Sequence, residues 1–173
     1  MDTLTAIATK RVIRRYAERP LDPDHLRAVL EAGRRAGSSK NQQRWDFIVV
    51  RDRGRLARLG DVGPYARHVP DAAATIALVT PDPHGPGHPL SVVWDVGGAA
   101  AQMMLAAWDL GIGSCPVTVY EQDLARDVLG YPADRWCEYL ITLGYPADPA
   151  DLEAPNRPGG RRSLAEVVHE ETW

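Results

Sequence analysis

The side chains with the clearest chemical potential are cations that occur in adjacent pairs. The pairs are Lys10-Arg11 with Arg14-Arg15 close behind, then Arg34-Arg35, and finally Arg161-Arg162. The first and last groups lie at predicted helix boundaries beside flexible backbone, where guanidinium groups and free backbone N–H groups can bind a small phosphate. The middle pair lies on a predicted amphipathic helix, so we expect it to face solvent.

A loop of short hydrogen-bonding side chains, residues 38–43, has the sequence SSKNQQ. Any one cationic pair is more often solvated surface charge than a binding site. Taken together, the two terminal groups of cations and this loop predict a candidate nucleotide site. The residues alone do not identify a more specific ligand.

Other catalytic and binding signatures are missing from the sequence. It contains no GxxxxGK[ST], no GxGxxG after a strand, no GxSxG and no HExxH. Gly111 and Gly113 form a lone GxG, which we interpret as a helix end. His84 and His88 flank a Gly-Pro-Gly turn without a carboxylate cluster beside them, so we expect a turn there and no metal site.

Composition restricts the classes of protein that the chain can represent. Its 173 residues, 45% of them apolar and 25% charged, predict one globular domain. A net charge of −3 argues against a nucleic-acid or acidic-membrane partner, and no apolar run reaches the roughly 20 residues of a membrane span. Two cysteines are too few for a disulfide framework, so we expect a cytoplasmic protein.

Helices and strands follow one another without the regular rhythm of a doubly wound sheet. Helices are predicted in residues 2–16, from Asp22-Pro23 onward, at 92–110 and at 121–129, and strands at 45–50, 75–80 and 139–143. The 92–110 helix is apolar on more than one side, so both sides should be buried. This irregular order of helices and strands predicts an α+β fold with a mixed, mostly antiparallel sheet flanked by helices.

Four segments resemble the FMN-dependent nitroreductase family, in the family's order and over nearly the whole chain. KRVIRRY at 10–16 with RPL at 19–21 resembles the family's opening, and AGRRAGSSKNQQRW at 32–45 resembles its AxxAPSxxNxQPW. Residues 95–115 resemble DxGxAxQNMxLAAxxLGLGSC. Three further stretches, which together make up the fourth segment, resemble the family's closing motifs: LGYP at 143–146, RRSL at 161–164 and the C-terminal residues 167–173.

The resemblance implies an α+β sandwich that forms an intertwined homodimer, with one FMN in each of two grooves between the subunits. Residues 1–173 would then form a single FMN-binding domain, with 147–173 as a C-terminal arm around the neighbour. The partner would cover the second apolar side of the 92–110 helix.

The resemblance also assigns residues to the cofactor. Lys10, Arg11 and either Arg161 or Arg162 would hold the FMN phosphate, with Val12 beside them. Arg14 would lie near the N1–C2 carbonyl edge of the flavin and tune its redox potential. The remaining contacts would come from Ser38, Ser39, Asn41 and Gln43 of the other subunit, at the ring or ribityl chain, and from Cys115, Pro116 and Val117, near the flavin N5.

The implied activity is an electron transfer in two half-reactions. NAD(P)H would deliver hydride to the flavin N5, and an electron-poor small molecule such as a nitroaromatic or quinone would then take the electrons, without a catalytic side chain. Two alternatives stay open. One is a flavin-binding storage or sensor protein. The other is the same fold with another redox reaction, such as heterocycle oxidation, dehalogenation, flavin breakdown or use of a deazaflavin donor.

The chain departs from the family pattern at four points. Val12 replaces a common serine, which removes one hydroxyl donor from the phosphate site. Gly37 and Arg44 replace prolines, so the 38–43 loop should be less rigid. Pro116 replaces the Trp after Gly-Ser-Cys and offers no N–H to the flavin. The chain is also short, and we expect the pocket roof to be reduced to the loop at 81–89.

Overall fold

A four-stranded sheet forms the centre of the structure, a computed structural model that describes residues 1–85, 90–153, 155 and 160–173. The strands are β1 (Asp46–Val50), β2 (Ala74–Pro81), β3 (Gly113–Thr118) and β4 (Arg135–Gly144), in the order β1-β2-β4-β3. Every neighbouring pair is antiparallel. His88, with parts of the predicted 81–89 and 147–160 loops, lies outside the described residues.

Helices cover both faces of this sheet. Within the described ranges they are α1 (Thr3–Thr9), α2 (Pro23–Arg34), α3 (Arg53–Leu59), α4 (Ser91–Asp109) and α5 (Gln122–Leu129). Because successive strand residues point to opposite faces, Leu140 packs with α3 and α5 while Ile141 packs with α2 and α4. The predicted α+β sandwich is therefore confirmed. The sheet was predicted to be mixed, and the parallel pairing among the described residues is an isolated bridge between Val12 and Ser114.

Two predicted helices are confirmed together with their end signals. The side chain of Asp22 accepts a 2.8 Å hydrogen bond from the Asp24 amide at the start of α2, and Pro23 occupies the first turn. α5 ends at Gly130, whose φ of 74° is the left-handed conformation that glycine adopts without a steric penalty.

The predicted helix at residues 2–16 is wrong after Thr9. α1 ends there, and the following segment is extended because its backbone hydrogen-bonds to the sheet instead of to itself. The Ile13 amide donates to the Ser114 carbonyl at 3.0 Å, and Tyr16 bridges to Pro146. The cationic pairs at 10–15 consequently lie along the β3 edge of the sheet.

The sequence interpretation missed α3 and β3. β3 contains Gly113 and Pro116, both poor strand formers, and it is tolerated at the sheet edge, where a proline need not donate to a second neighbour. Residues 111–113, interpreted as a helix end, follow α4 directly after its cap residue Leu110, and Gly111 has a φ of 71°.

The outer side of α4 is exposed in the single chain, although the sequence predicts that both sides are buried. The inner side packs against α2, where Gly33 leaves room for Met103. The outer side consists of uncharged residues in contact with solvent: Val93, Trp94, Gly97, Gly98, Ala101 and Gln102. Trp94 is 83% exposed. None of the described residues therefore covers this surface.

The C-terminal residues lie on the outside of the domain. Asp151 pairs with Arg15 at 3.4 Å, and Leu152 packs against the cluster around Trp108. Residues 160–173 are exposed throughout, including Leu164 and Trp173. Among the described residues, no helix combines the length and the apolar character that crossing a bilayer requires.

Candidate functional site

The extended segment that carries the first cations is held close against β3 and β4. A Cβ added at Gly113 would lie 2.6 Å from Ile13 Cβ, and one added at Gly144 would lie 2.6 Å from the Tyr16 ring. Both glycines therefore permit a close approach that a larger residue would prevent. This approach sets the position of Arg14, which lies between Ile13 and Tyr16.

Buried hydroxyl groups strengthen the attachment. The Tyr16 hydroxyl donates to the Ile13 carbonyl at 2.7 Å and lies 2.7 Å from Thr142 Oγ1, which donates to the Cys115 carbonyl at 3.1 Å. Burial raises the pKa of Tyr16 far above its usual value, with only partial opposition from Thr142. The phenol is therefore neutral and serves as a hydrogen-bonding group.

Cations from both ends of the chain exert their charge on groups at β3 and on the segment that lies against it. We use the name basic cluster for Lys10, Arg14 and Arg161 around Cys115. Burial lowers the pKa of Lys10, and the positive charge of Arg161 lowers it further. Burial raises the pKa of the Cys115 thiol, and the charges of Arg14 and Lys10 partly offset that effect. Of the two C-terminal arginines, Arg161 is the one whose charge affects the pKa of Lys10.

Arg11 points elsewhere. Its Nη1 donates to the carbonyls of Ala8, Thr9 and Lys10, which places the guanidinium on the C-terminal end of α1. Its Nε is buried without a partner among the described residues. Arg162 is exposed, and Val12 is 42% exposed beside Ser114.

The serine loop, residues 38–43, has a strained backbone fastened at two points. Asp95, which is only 5% exposed, accepts a 2.9 Å hydrogen bond from the Ser39 amide, and Ser38 Oγ accepts one from the Gln43 amide at 3.0 Å. Asn41 and Gln43 both have φ near +50°, an uncommon conformation for residues other than glycine. Asn41 Oδ1 also accepts from Gln43 Nε2 at 3.1 Å.

A single chain does not bring the serine loop and the basic cluster together. The loop is attached to Asp95 near the start of α4, whereas Thr9 accepts a hydrogen bond from Trp108 Nε1 near its end. At a rise of about 1.5 Å per residue these points are about 20 Å apart along the helix. The predicted site residues therefore form two groups.

The three predicted β3 residues differ in exposure. Cys115 and Val117 are each 1% exposed, whereas Pro116 is exposed. Val117 belongs to the core beneath α3 and α5. Of the three, Cys115 faces the cations and Pro116 faces solvent.

The sequence interpretation missed His68. Burial lowers the pKa of its imidazole, and the nearby charge of Arg14 lowers it further, while Asp71 acts in the opposite direction. Its Nε2 is buried without a hydrogen-bond partner among the described residues. Nothing in the local sequence distinguishes it from a core histidine, because only the fold places it beside Arg14.

Comparison with known proteins identifies the family. The sequence model of the nitroreductase family matches residues 7–63 and 63–145. The chain belongs to the nitroreductase family. An Archaeoglobus fulgidus protein, whose name places it among NADH dehydrogenases or NAD(P)H nitroreductases, is 34% identical over 178 residues, 99% of each chain.

Solved structures share the nitroreductase fold. A crystal structure from Parabacteroides distasonis has a TM-score of 0.86 at 24% identity, over 99% of this chain and 98% of that one. A Clostridium difficile R20291 protein described as an FMN-dependent nitroreductase has a TM-score of 0.83 at 24% identity, over 99% and 100%. At this identity the two structures establish the fold.

The donors of the basic cluster fit a phosphate-bearing cofactor such as FMN. Cations from two chain ends suit a phosphate dianion, and His68, whose pKa the charge of Arg14 lowers, has a buried Nε2 without a hydrogen-bond partner among the described residues. Among the described residues, no three His, Cys, Asp or Glu side chains are grouped to hold a metal ion. His84 lies 3.2 Å from Glu138 and packs edge-on against Trp136.

Proposed function

We propose that this protein is an FMN-dependent oxidoreductase that takes electrons from NAD(P)H and passes them to an electron-poor small molecule such as a nitroaromatic or a quinone. The observation that carries the proposal is the attachment of the segment from Lys10 to Arg14 to β3, through the Ile13 amide and the Val12–Ser114 bridge, which places these cations beside Cys115. The charge of Arg161, from the other end of the chain, also acts on Lys10. The family match and the names of the relatives support a redox function.

The residues of the basic cluster would divide the cofactor between them. Lys10 and Arg161 would hold the phosphate through charge-assisted hydrogen bonds, each of which contributes about 1.5–3 kcal/mol. Arg14 would lie at the N1–C2 edge, where a cation favours the anionic reduced ring. His68 would use its unpartnered Nε2 at the same edge, since it lies close to Arg14.

The flavin supplies the redox chemistry in such an enzyme, and the protein binds and orients it. Cys115 and the side chains of the basic cluster fit this role of binding and orienting the flavin, because none of them is an activated nucleophile. Burial keeps the Cys115 thiol protonated by raising its pKa. We therefore assign no catalytic acid, base or nucleophile.

A homodimer would complete the site. The serine loop and the basic cluster lie at opposite ends of α4, and the uncharged outer side of α4 is exposed between them. A second copy packed on that side would bring its own Ser38, Ser39, Asn41 and Gln43 to the first copy's cations. The exposed residues 160–173 would then be part of an arm around the partner. We place the enzyme in the cytoplasm, where Cys115 and Cys137 stay reduced.

The visible spectrum of the purified protein tests this proposal. We expect a yellow protein that is bleached under anaerobic conditions by NADH or NADPH and recoloured by a quinone or nitroaromatic. Stoichiometric flavin that neither nicotinamide reduces would favour the storage or sensor alternative. A colourless protein that does not bind added FMN would refute the proposal.

A further inference from the structure

A groove rich in arginine opens next to the basic cluster. Its volume is about 720 Å³, within the usual size range of small-molecule sites. Three segments form its walls: residues 14–21, the residues at the junction of β1 and α3, and those that lead into β2. We call it the arginine groove after the five arginines that line it: Arg14, Arg15, Arg19, Arg51 and Arg53.

The arginine groove has an excess of positive charge. Two carboxylates, Glu18 and Asp71, line it as well. Arg15 pairs with Asp151 at 3.4 Å, outside the lining, and within the described ranges the other four arginines form no ion pair. Several guanidinium groups therefore remain available to an anion in a protein whose overall charge is −3.

Two of these arginines are held in place before any ligand binds. Arg53 donates to the carbonyls of Ala72 at 2.8 Å and Pro70 at 2.7 Å, and Arg19 lies 4.1 Å above the centre of the Tyr145 ring. Neither contact neutralises the charge. Cations that are already ordered lose less entropy when an anion binds, so the arrangement favours binding.

The arginine groove and the basic cluster share Arg14. This residue lines the groove, and its charge also acts on Cys115 and His68. A ligand in the groove would therefore reach the edge of the proposed flavin site. That ligand would need several negative charges at one end and a redox-active group at the other.

We propose that the arginine groove binds the phosphate groups of NADPH, its 2′-phosphate and its diphosphate, and that it makes NADPH the preferred donor. This inference rests on the proposed function. Guanidinium forks match phosphate oxygens in pairs. NADH lacks the 2′-phosphate and would lose those contacts.

Binding of 2′,5′-ADP tests the groove without any turnover. Calorimetry on the flavin-loaded protein at low salt would compare wild type with Arg19→Ala/Arg51→Ala, while Arg55→Ala, an exposed arginine of α3 outside the groove, is the control. We expect the double variant to bind at least about tenfold more weakly and the control to match wild type. Arg53 is left intact because it also supports the backbone before β2.

Steady-state kinetics supply the second measurement. The ratio of KM for NADH to KM for NADPH should exceed one in wild type and fall toward one in the double variant. Unchanged thermal unfolding would show that the variant is folded.

Three results would overturn the inference. The first is equal affinity of wild type for 2′,5′-ADP and 5′-AMP. The second is competition by inorganic phosphate at the same concentration as 2′,5′-ADP, which would indicate a site for free anions. The third is a shift of the monomer–dimer equilibrium in the double variant without a change in nucleotide binding, which would indicate that the acidic C-terminal residues of a second copy occupy the groove.

The same experiments separate this inference from the proposed function. If both nicotinamides reduce the flavin equally well in wild type and variant, the groove assignment fails and the oxidoreductase stands. If neither reduces it, the oxidoreductase fails, and the calorimetry alone decides whether the groove binds phosphates.

Discussion

The basic cluster and the serine loop both present polar groups to the proposed cofactor, but their backbones are held in different ways. The segment that carries Lys10 and Arg14 lies against β3, and Tyr16 attaches it to the core through buried hydroxyl contacts. The serine loop lies near the start of α4, has several left-handed residues and depends on Asp95 for its buried anchor. One half of the proposed site is thus part of the core, and the other is a loop fastened at its edge.

This difference matches the two tasks that the halves would perform. A phosphate needs cations at defined positions, which a core-supported strand provides without further ordering. A loop that reaches a neighbouring subunit is positioned by that neighbour as well, so its own chain can hold it with fewer contacts. The comparison can be tested by changing one half at a time.

The largest effect is expected at the basic cluster. Lys10→Ala/Arg161→Ala removes two charge-assisted contacts and should weaken FMN binding about a hundredfold or more, which flavin release on gel filtration would reveal. Arg11→Ala should instead lower helix stability, because Arg11 binds the end of α1. Arg162→Ala is the matched control. If it releases as much FMN as the double variant, the assignment of Arg161 is wrong.

The next largest effect concerns the surface between the halves. Trp94→Glu places a charge on the exposed uncharged side of α4 and should weaken a dimer by about 2 kcal/mol or more, as at other aromatic contact centres. Sedimentation would measure the association. Tyr65→Glu, at a tyrosine that is 70% exposed, is the control. A monomeric wild type, or a Trp94→Glu dimer of unchanged affinity, would contradict the proposed interface.

A smaller loss is expected inside the core-supported half. Tyr16→Phe leaves the Ile13 carbonyl and Thr142 without a partner hydroxyl and should cost about 1–3 kcal/mol in the free energy of unfolding. Denaturant unfolding would measure it. The exposed Tyr120→Phe should change little, and similar losses for both would show that the buried contacts do not stabilise the segment.

The serine loop should respond locally. Asp95→Ala removes the acceptor of the Ser39 amide, so hydrogen exchange should accelerate at residues 39–43 and stay unchanged at 10–16. Asp109→Ala, at the other end of α4, provides the control. Equal acceleration of both segments would show that the serine loop and the 10–16 segment are held together and are not anchored separately.

The smallest effect is a pH dependence at His68. Its folded pKa lies below the ordinary 6.5, so in acid the unfolded chain binds a proton that the folded protein resists. The free energy of unfolding should therefore fall as the pH drops below about 6.5, and His68→Gln should reduce that slope. An identical slope in the variant would show that His68 does not titrate as proposed.

The sequence predicts a helix end correctly where that end depends on the conformational preference of a single residue. Asp22, Pro23 and Gly130 mark helix ends through their own conformational preferences, and the structure confirms both helices. Residues 10–16 were predicted as helix because their pattern does not show that Ser114 accepts the Ile13 amide. β3 was missed because its glycine and proline are tolerable only at an edge.

The candidate site shows the same difference between features that depend on local sequence and features that depend on tertiary contacts. The paired cations and the serine loop were visible as types of residue, and the family resemblance assigned them to a cofactor. The sequence does not distinguish Arg161 from Arg162 as a phosphate ligand, the resemblance assigns Arg11 to the phosphate, and no local signal marks His68. These points depend on which side chains approach across the fold.

The family, the α+β class and the residue types available for a phosphate can be predicted from the sequence, because they follow from local patterns and from motif order along the chain. In the tertiary structure the charge of Arg161 acts on Lys10 and that of Arg14 acts on His68. Asp95 and Trp108, which anchor the serine loop and Thr9, are about 20 Å apart along α4. Distances between residues far apart in sequence are set by packing, and packing depends on all the elements at once.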